Sequence, residues 1–151
     1  MAKELGVADW SAAHNSEAFA FGPRGYFTAA RNLLVFWRHE ELGIAVAQGV
    51  DEIALALTAD AYSRTYRSTA LSVAPSSAAL QTRRGLTLLP DAIADASNPA
   101  DRMLPALDST KPVAALDRAL SGISNAYGSA TATFVAQQLE HPREDRKLQA
   151  Q

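Results

Sequence analysis

The chain has 151 residues, of which 48% are hydrophobic and 20% are charged, a composition typical of one globular domain. Its net charge of −2 lacks the basic surplus of a nonspecific nucleic-acid binder, so we expect no nucleic-acid partner. The sequence contains no cysteine, which excludes disulfides, thiolate nucleophiles and cysteine-bound metals.

The N-terminal segment, MAKELGVADWSAAHNSE, lacks the continuous apolar stretch of a signal peptide. No apolar run approaches the ~18 residues that are needed to span a bilayer. We therefore expect a protein that is cytoplasmic or peripheral to a membrane complex, with at most peripheral membrane contact. Residues 3–14 are a helix candidate, and Gly22, Pro23 and Gly25 indicate a connection before the next element.

The segment from Arg24 to Glu40 is predicted to be one helix, because its apolar residues recur at the spacing of a helical face. These residues are Tyr26, Ala30, Leu33 and Trp37, with Phe27, Leu34 and Phe36 beside them. Arg24, Arg31 and Arg38 lie seven residues apart and form a separate basic line. Either the aromatic face packs inward and the arginines are solvated, or the helix docks onto a partner or a membrane interface. In the second case the candidate contacts are Arg24, Arg31, Arg38, Phe27, Leu34 and Trp37.

A strand–helix–strand unit is predicted next. The apolar run 42–48 predicts a short buried strand, and Asp51 can cap a helix that continues to about Tyr66. The segment TALSVA, residues 69–74, predicts a second strand. Strand, helix and strand in succession indicate two adjacent parallel strands.

The remaining elements are a hairpin and two helices. Residues 79–82 and 86–89 are strand candidates around the turn Arg83-Arg84-Gly85, and most of 91–111 is expected to be irregular. Helices are predicted at 113–127 and at 129–140, separated by Gly128, with Ser129 capping the second. Residues 143–151 form a charged tail that we expect to be disordered. The sequence thus predicts one α/β domain over 1–142, with a small parallel or mixed sheet flanked by helices and a helical C-terminal third.

The segment Gln48-Gly49-Val50-Asp51-Glu52 is the main candidate for a ligand site, because ligands of open α/β sheets bind beyond the carboxyl ends of the strands. The candidates are Gln48, Gly49, Asp51 and Glu52. A partly desolvated carboxylate there would have a raised pKa. Alternatively, Asp51 caps the helix and Glu52 complements its dipole.

The other residue patterns are weaker evidence for a functional site. Arg83 and Arg84 either bind an anion or solvate a hairpin tip. The three histidines, His14, His39 and His141, share no metal-ligand spacing, so we expect no metal. The sequence has no nucleophile elbow, no dinucleotide fingerprint and no phosphate loop, so we expect no cofactor.

The stretch from His39 to Pro90 resembles the opening of a DJ-1/PfpI (class I glutaminase-like) domain. The resemblance rests on a strand, a glycine with an acidic turn, a helix, a second strand and the segment TRRGLTLLPD. The C-terminal piece LDRALSGISNAYGSATATFVAQQLEHPR is similar to that of bacterial members that look non-catalytic and are often fused to membrane or regulatory segments. The resemblance covers roughly two-thirds of the chain and implies a reduced flavodoxin-like fold.

By this resemblance Glu52 corresponds to the acidic residue that lies near the family's nucleophile. The family's nucleophile is a cysteine, which this chain lacks, and the segment between Pro90 and Pro112 leaves little room for the central strands that carry it. The resemblance therefore implies a shortened, non-enzymatic member that acts as an accessory or binding subunit, with a protein partner or a second copy of itself. The alternatives are a small-molecule sensor domain and a cysteine-independent hydrolase or isomerase that uses Glu52.

Overall fold

The computed structural model describes residues 16–94, 100–107 and 111–142. The predicted helix at 3–14 and the predicted tail at 143–151 lie outside these residues. The helices are α1 (Pro23–Leu34), α2 (Glu52–Ser63), α3 (Pro112–Tyr127) and α4 (Ser129–Gln138). The strands are β1 (Glu40–Ala45), β2 (Ser68–Ala74), β3 (Leu80–Gln81), β4 (Thr87–Leu88), β5 (Ala92–Ile93) and β6 (Arg102–Met103).

The main sheet has four parallel strands in the order β5-β2-β1-β6. β1 and β2 pair from Glu40 opposite Ser68 to Ala45 opposite Val73. This confirms the predicted adjacent parallel strands and the α/β class, although β1 begins two residues earlier than the apolar run. The core forms where Leu42 and Ile44 of β1 meet the helices, and both side chains are almost fully buried.

The two edge strands lie in the segment that was expected to be mostly irregular. β5 pairs with the end of β2, and β6 pairs with the middle of β1. Each has only two residues, so neither shows the alternation that identifies a strand in a sequence. The predicted hairpin is confirmed, since β3 and β4 pair antiparallel around a turn in which Gly85 has φ +85°.

The helices pack in a series, with α2 against β2, α3 against α2, α4 against α3 and α1 against α4.

The prediction of a continuous helix to Glu40 is wrong at its end. Val35 leaves the helical conformation at φ −92° and ψ 40°, a 3₁₀ turn follows at Phe36–Arg38, and Glu40 already belongs to β1. The predicted cap at Ser129 is also wrong, because Gly128 is the boundary residue of α3 and α4 at φ +90°, and Ser129 is the first residue of α4.

Candidate functional site

A cleft of about 960 Å³ opens at the carboxyl end of the parallel strands. Its walls are the ends of β1 and β2, the turn into α2, the tip of the β3–β4 hairpin and the segment that leads into α3. The candidates Gln48, Gly49 and Asp51 line it. Sequence reasoning missed Met103, Leu107 and Lys111, which reach the cleft from later segments and carry no local pattern that predicts it.

The turn Gln48–Asp51 and the β3–β4 hairpin form one unit. Gly49 N donates to Gln81 O at 2.8 Å, and Gln81 N donates to Gln48 Oε1 at 3.1 Å. Arg83 N donates to Val50 O at 2.9 Å. Gly49 has φ +80°, a conformation that favours glycine, at the point where the turn meets the hairpin. The two candidate segments that the sequence treated separately therefore share one wall of the cleft.

Asp51 caps α2 and pairs with the hairpin. Its Oδ1 accepts from the amides of Ile53 and Ala54, both at 3.0 Å, and its Oδ2 accepts from Arg84 Nη1 at 3.2 Å. Arg83 Nη1 lies 3.7 Å from the same oxygen. Burial alone would raise the pKa of Asp51, but the amide hydrogen bonds and Arg84 outweigh burial, so the pKa is lowered.

Glu52 is held by the same arginine. Its Oε1 lies 3.5 Å from Arg84 Nη1, and its Oε2 accepts from Arg84 N at 3.4 Å. Desolvation acts to raise the pKa of Glu52, but hydrogen bonds to it, including one from Thr82, lower the pKa below its usual value. The expectation of a raised carboxylate pKa in this segment is therefore wrong, because the hairpin supplies donors to the ionised form. Both carboxylates fit the role of cap and ion-pair partner.

Cationic side chains line the cleft. Arg83 is largely exposed and its Nη1 lies 3.7 Å from Asp51 Oδ2, and Lys111 also lines the cleft. An anionic group with an apolar body fits such a cleft, since the remaining walls include Val46, Val73 and Leu107. Among the described residues, no group of acidic or histidine side chains is arranged to hold a metal ion.

The second candidate surface lies on α1, where the apolar residues point away from the protein. Gly25, Thr28 and Asn32 are the buried residues of the helix. Asn32 Nδ2 donates to Thr65 O at 2.9 Å and to Thr131 Oγ1 at 3.3 Å, which fixes α1 to α4 and to the loop after α2. Thr28 Oγ1 bonds within the helix, to Arg24 O. The inner side of α1 is therefore small and polar.

The outer side of α1 and the 3₁₀ turn after it carry large apolar side chains that are each between 58% and 75% exposed. We call this set the outer face: Tyr26, Phe27, Leu33, Leu34, Phe36 and Trp37. Phe36 and Trp37 pack edge to face, with ring centroids 5.3 Å apart. The alternative in which the aromatic face packs inward is wrong, because the small and polar side of α1 makes the contact with α4.

The basic line does not run along one helix. Arg24 and Arg31 lie on α1, whereas Arg38 lies in the 3₁₀ turn. Arg31 Nη2 lies 3.4 Å from both Asn32 Oδ1 and Thr131 Oγ1. These partners are neutral, so the positive charge of Arg31 stays uncompensated by them.

A third polar cluster, at the amino end of β1, was not predicted. Tyr127 Oη donates to Glu40 Oε1 at 2.6 Å, and Arg102 Nε lies 3.3 Å from Glu40 Oε2. Burial, followed by the hydrogen bond to Glu40, raises the pKa of Tyr127 to about 12. The guanidinium of Arg67 lies over the Tyr127 ring. Glu40, Tyr127 and Arg102 satisfy one another and tie α3 to the sheet, whereas the buried Nε of Arg67 has no hydrogen-bond partner among the described residues.

The sequence matches no protein-family model and no curated protein sequence. Solved structures do match the fold. DJ-1 of Toxoplasma gondii, in its oxidized form, superposes with a TM-score of 0.58 at 12% identity, covering 69% of this chain and all of that chain. The protein VC2308 superposes with a TM-score of 0.54 at 14% identity, covering 74% of this chain and 97% of that chain.

The fold is thus a flavodoxin-like α/β arrangement with a parallel sheet. More specifically, it is the DJ-1/PfpI-like fold that the sequence resemblance implied. At these identities the likeness concerns the fold alone, and fold does not determine function.

Proposed function

We propose that this chain is a non-enzymatic accessory or binding subunit of a larger assembly and that it docks through the outer face of α1. One observation carries the proposal: six large apolar side chains, four of them aromatic, are exposed together on α1 and the turn after it. Exposed apolar patches of this kind mark interaction surfaces. Asn32 and Thr28 support it, because the inner side of α1 is built to keep the apolar side outward.

Site-specific photo-crosslinking in cells that make the protein tests this proposal. A benzophenone amino acid is placed at Phe27 in one variant and at Trp37 in another. The matched control carries it at Leu89, which is as exposed as Trp37 but lies after the β3–β4 hairpin. We expect crosslinks from Phe27 and Trp37 and not from Leu89. If the two α1 positions crosslink no more than Leu89 does, the proposal is wrong.

A small-molecule sensor is the second candidate, and the cleft at the carboxyl end of the strands favours it. Arg83 and Lys111 would hold an anionic group, and the apolar walls would hold the rest of the ligand. The two functions are compatible, since the cleft and the outer face involve different residues. The third alternative, a hydrolase or isomerase that uses Glu52, has less support, because Glu52 is paired with Arg84 and its pKa is lowered.

A further inference from the structure

The outer face has a cationic border. At about 100° per residue, its α1 members occupy a sector of ~120°, and Arg24 and Arg31 lie directly beside that sector. Arg38 follows Trp37 in the chain. The segment 23–39 contains no aspartate or glutamate, so its three arginines give it a charge of +3. Because the whole chain carries −2, the rest of the chain carries −5.

Two acidic residues, Glu40 and Glu41, follow this segment in the chain. Glu40 is occupied by Tyr127 and Arg102, on the side of β1 that faces α3 and β6. The outer face is therefore apolar, aromatic and positively charged on a protein that is otherwise acidic. A complementary surface must accept apolar side chains and carry negative charge.

A second copy that pairs through its own outer face does not meet this requirement, because the segment 23–39 has no acidic residue to offer. Such a contact would bring together two segments of charge +3, and like charges oppose it. The surface of a bilayer that contains anionic lipids meets both conditions. Aromatic rings favour the headgroup level, aliphatic side chains enter the acyl boundary, and arginines bind phosphates.

We propose that the outer face of α1 binds the surface of membranes that contain anionic lipids. This inference rests on the proposed function, because it assumes that the outer face is a docking surface, and it names the partner. No helix of the described residues is long and apolar enough to cross a membrane. The proposed contact is with the membrane interface. α1 lies in the plane of the bilayer with Phe27 and Leu34 inserted and the arginines at the phosphates.

The first experiment uses unilamellar vesicles of phosphatidylcholine alone or mixed with phosphatidylglycerol. The chain has two tryptophans, so Trp10→Phe leaves Trp37 as the only indole. We expect co-sedimentation with the anionic vesicles, a shift of Trp37 emission to shorter wavelength on binding, and weaker binding as salt rises. Absence of binding to anionic vesicles overturns the inference, and so does equal binding to both compositions at all salt concentrations.

Paired variants test the surface itself. Phe27→Ser with Leu34→Ser should abolish vesicle binding, whereas Leu86→Ser with Leu89→Ser, which removes equally exposed side chains elsewhere, should leave it unchanged. Circular dichroism and thermal unfolding check that both double variants keep the fold. If the two double variants bind alike, the inference is wrong.

The charge is tested separately. Arg24→Gln with Arg38→Gln should weaken binding to anionic vesicles by about fivefold for each arginine. Arg64→Gln, which removes a partly exposed arginine that pairs with Asp60 at the end of α2, should change it by less than twofold. The crosslinking experiment separates the two proposals. Crosslinks from Phe27 to a protein, without vesicle binding, would contradict the membrane proposal and support the proposal of a docking subunit. The absence of both crosslinks and vesicle binding would contradict both proposals.

Discussion

Asp51 shows how one side chain can link three parts of the molecule. Its two oxygens accept from the first turn of α2 and from Arg84 on the hairpin, while its backbone follows the strand β1. The sequence predicted the cap, because an aspartate directly before an apolar helix is a recognisable signal. It did not predict the ion pair with Arg84, because the two residues are 33 positions apart and only the folded chain brings them together.

Replacing Asp51 should lower the stability of the domain in a pH-dependent way. Asp51→Ala removes the cap and leaves Arg84 without this partner, so we expect a loss of about 0.5–2 kcal/mol at pH 7. Asp51→Asn keeps a capping oxygen and loses the charge. Because the pKa of Asp51 is lowered in the folded state, its charge stabilises the protein above the unfolded pKa of about 4, and that contribution disappears as the pH falls through the folded value.

Urea unfolding of wild type and Asp51→Asn between neutral and acidic pH measures this pH dependence. The difference in their free energies of unfolding should be largest near pH 7 and should vanish in acid, where the aspartate is protonated. Asp60→Asn is the control, since Asp60 makes an exposed helix pair with Arg64 that is worth little. A gap that persists at the lowest pH, or an Asp51→Ala protein as stable as wild type, would contradict the role of the carboxylate.

The packing of α3 against α2 depends on a glycine that helix propensity alone would disfavour. Gly122 lies within α3, and a methyl group added there would meet the hydroxyl of Tyr62 on α2 at a distance that no real contact allows. Tyr62 is almost fully buried, so displacing its ring would cost packing contacts. Since α2 and α3 share an extensive contact, the glycine sets how closely the two helices approach.

Gly122→Ala should therefore destabilise the protein, although alanine is the better helix former by about 1 kcal/mol. We expect a net loss of about 1–3 kcal/mol, from overpacking against Tyr62. In a Tyr62→Phe background the obstructing oxygen is absent and the nearest ring carbon would lie at 3.4 Å, an ordinary contact. There the same substitution should become neutral or stabilising, and thermal unfolding of the four proteins measures the coupling.

Ser121→Ala is the matched control, since Ser121 is the exposed neighbour on the same helix. It should change stability by no more than a few tenths of a kcal/mol. If Gly122→Ala costs the same with and without the Tyr62 hydroxyl, the steric account of this helix pair is wrong.

The elements differ in how far the sequence predicts them. α2, β2 and the hairpin have local signals, namely a capping aspartate, an apolar run that ends at Pro75, and a turn glycine at Gly85. β5 and β6 have none, because a two-residue strand is defined by its neighbour and not by its own pattern. The helical periodicity of α1 was correct for Pro23–Leu34, but periodicity cannot tell which side of a helix meets the protein.

At the scale of the whole molecule, the cleft and the outer face are two separate surfaces. The cleft lies at the carboxyl ends of the strands, and the outer face lies on α1, which packs on α4. The parallel order β5-β2-β1-β6 agrees with the DJ-1-like fold, and that agreement could be anticipated from the residues after His39. Any chemistry in the cleft depends on its own side chains and not on the fold.

We expect no turnover of ester, amide or glyoxal-type substrates by this chain. The sequence contains no cysteine, so no thiolate can act as the nucleophile. Asp51, which lines the cleft, and Glu52, which does not, are both ion-paired with Arg84 and have lowered pKa values, so neither holds a proton to donate near pH 7. Steady-state assays of the purified protein against each substrate class, beside Glu52→Gln, make the measurement. Turnover by the wild type that is lost in Glu52→Gln, with unfolding temperatures unchanged, would show that the cleft is catalytic and would replace the non-enzymatic proposal.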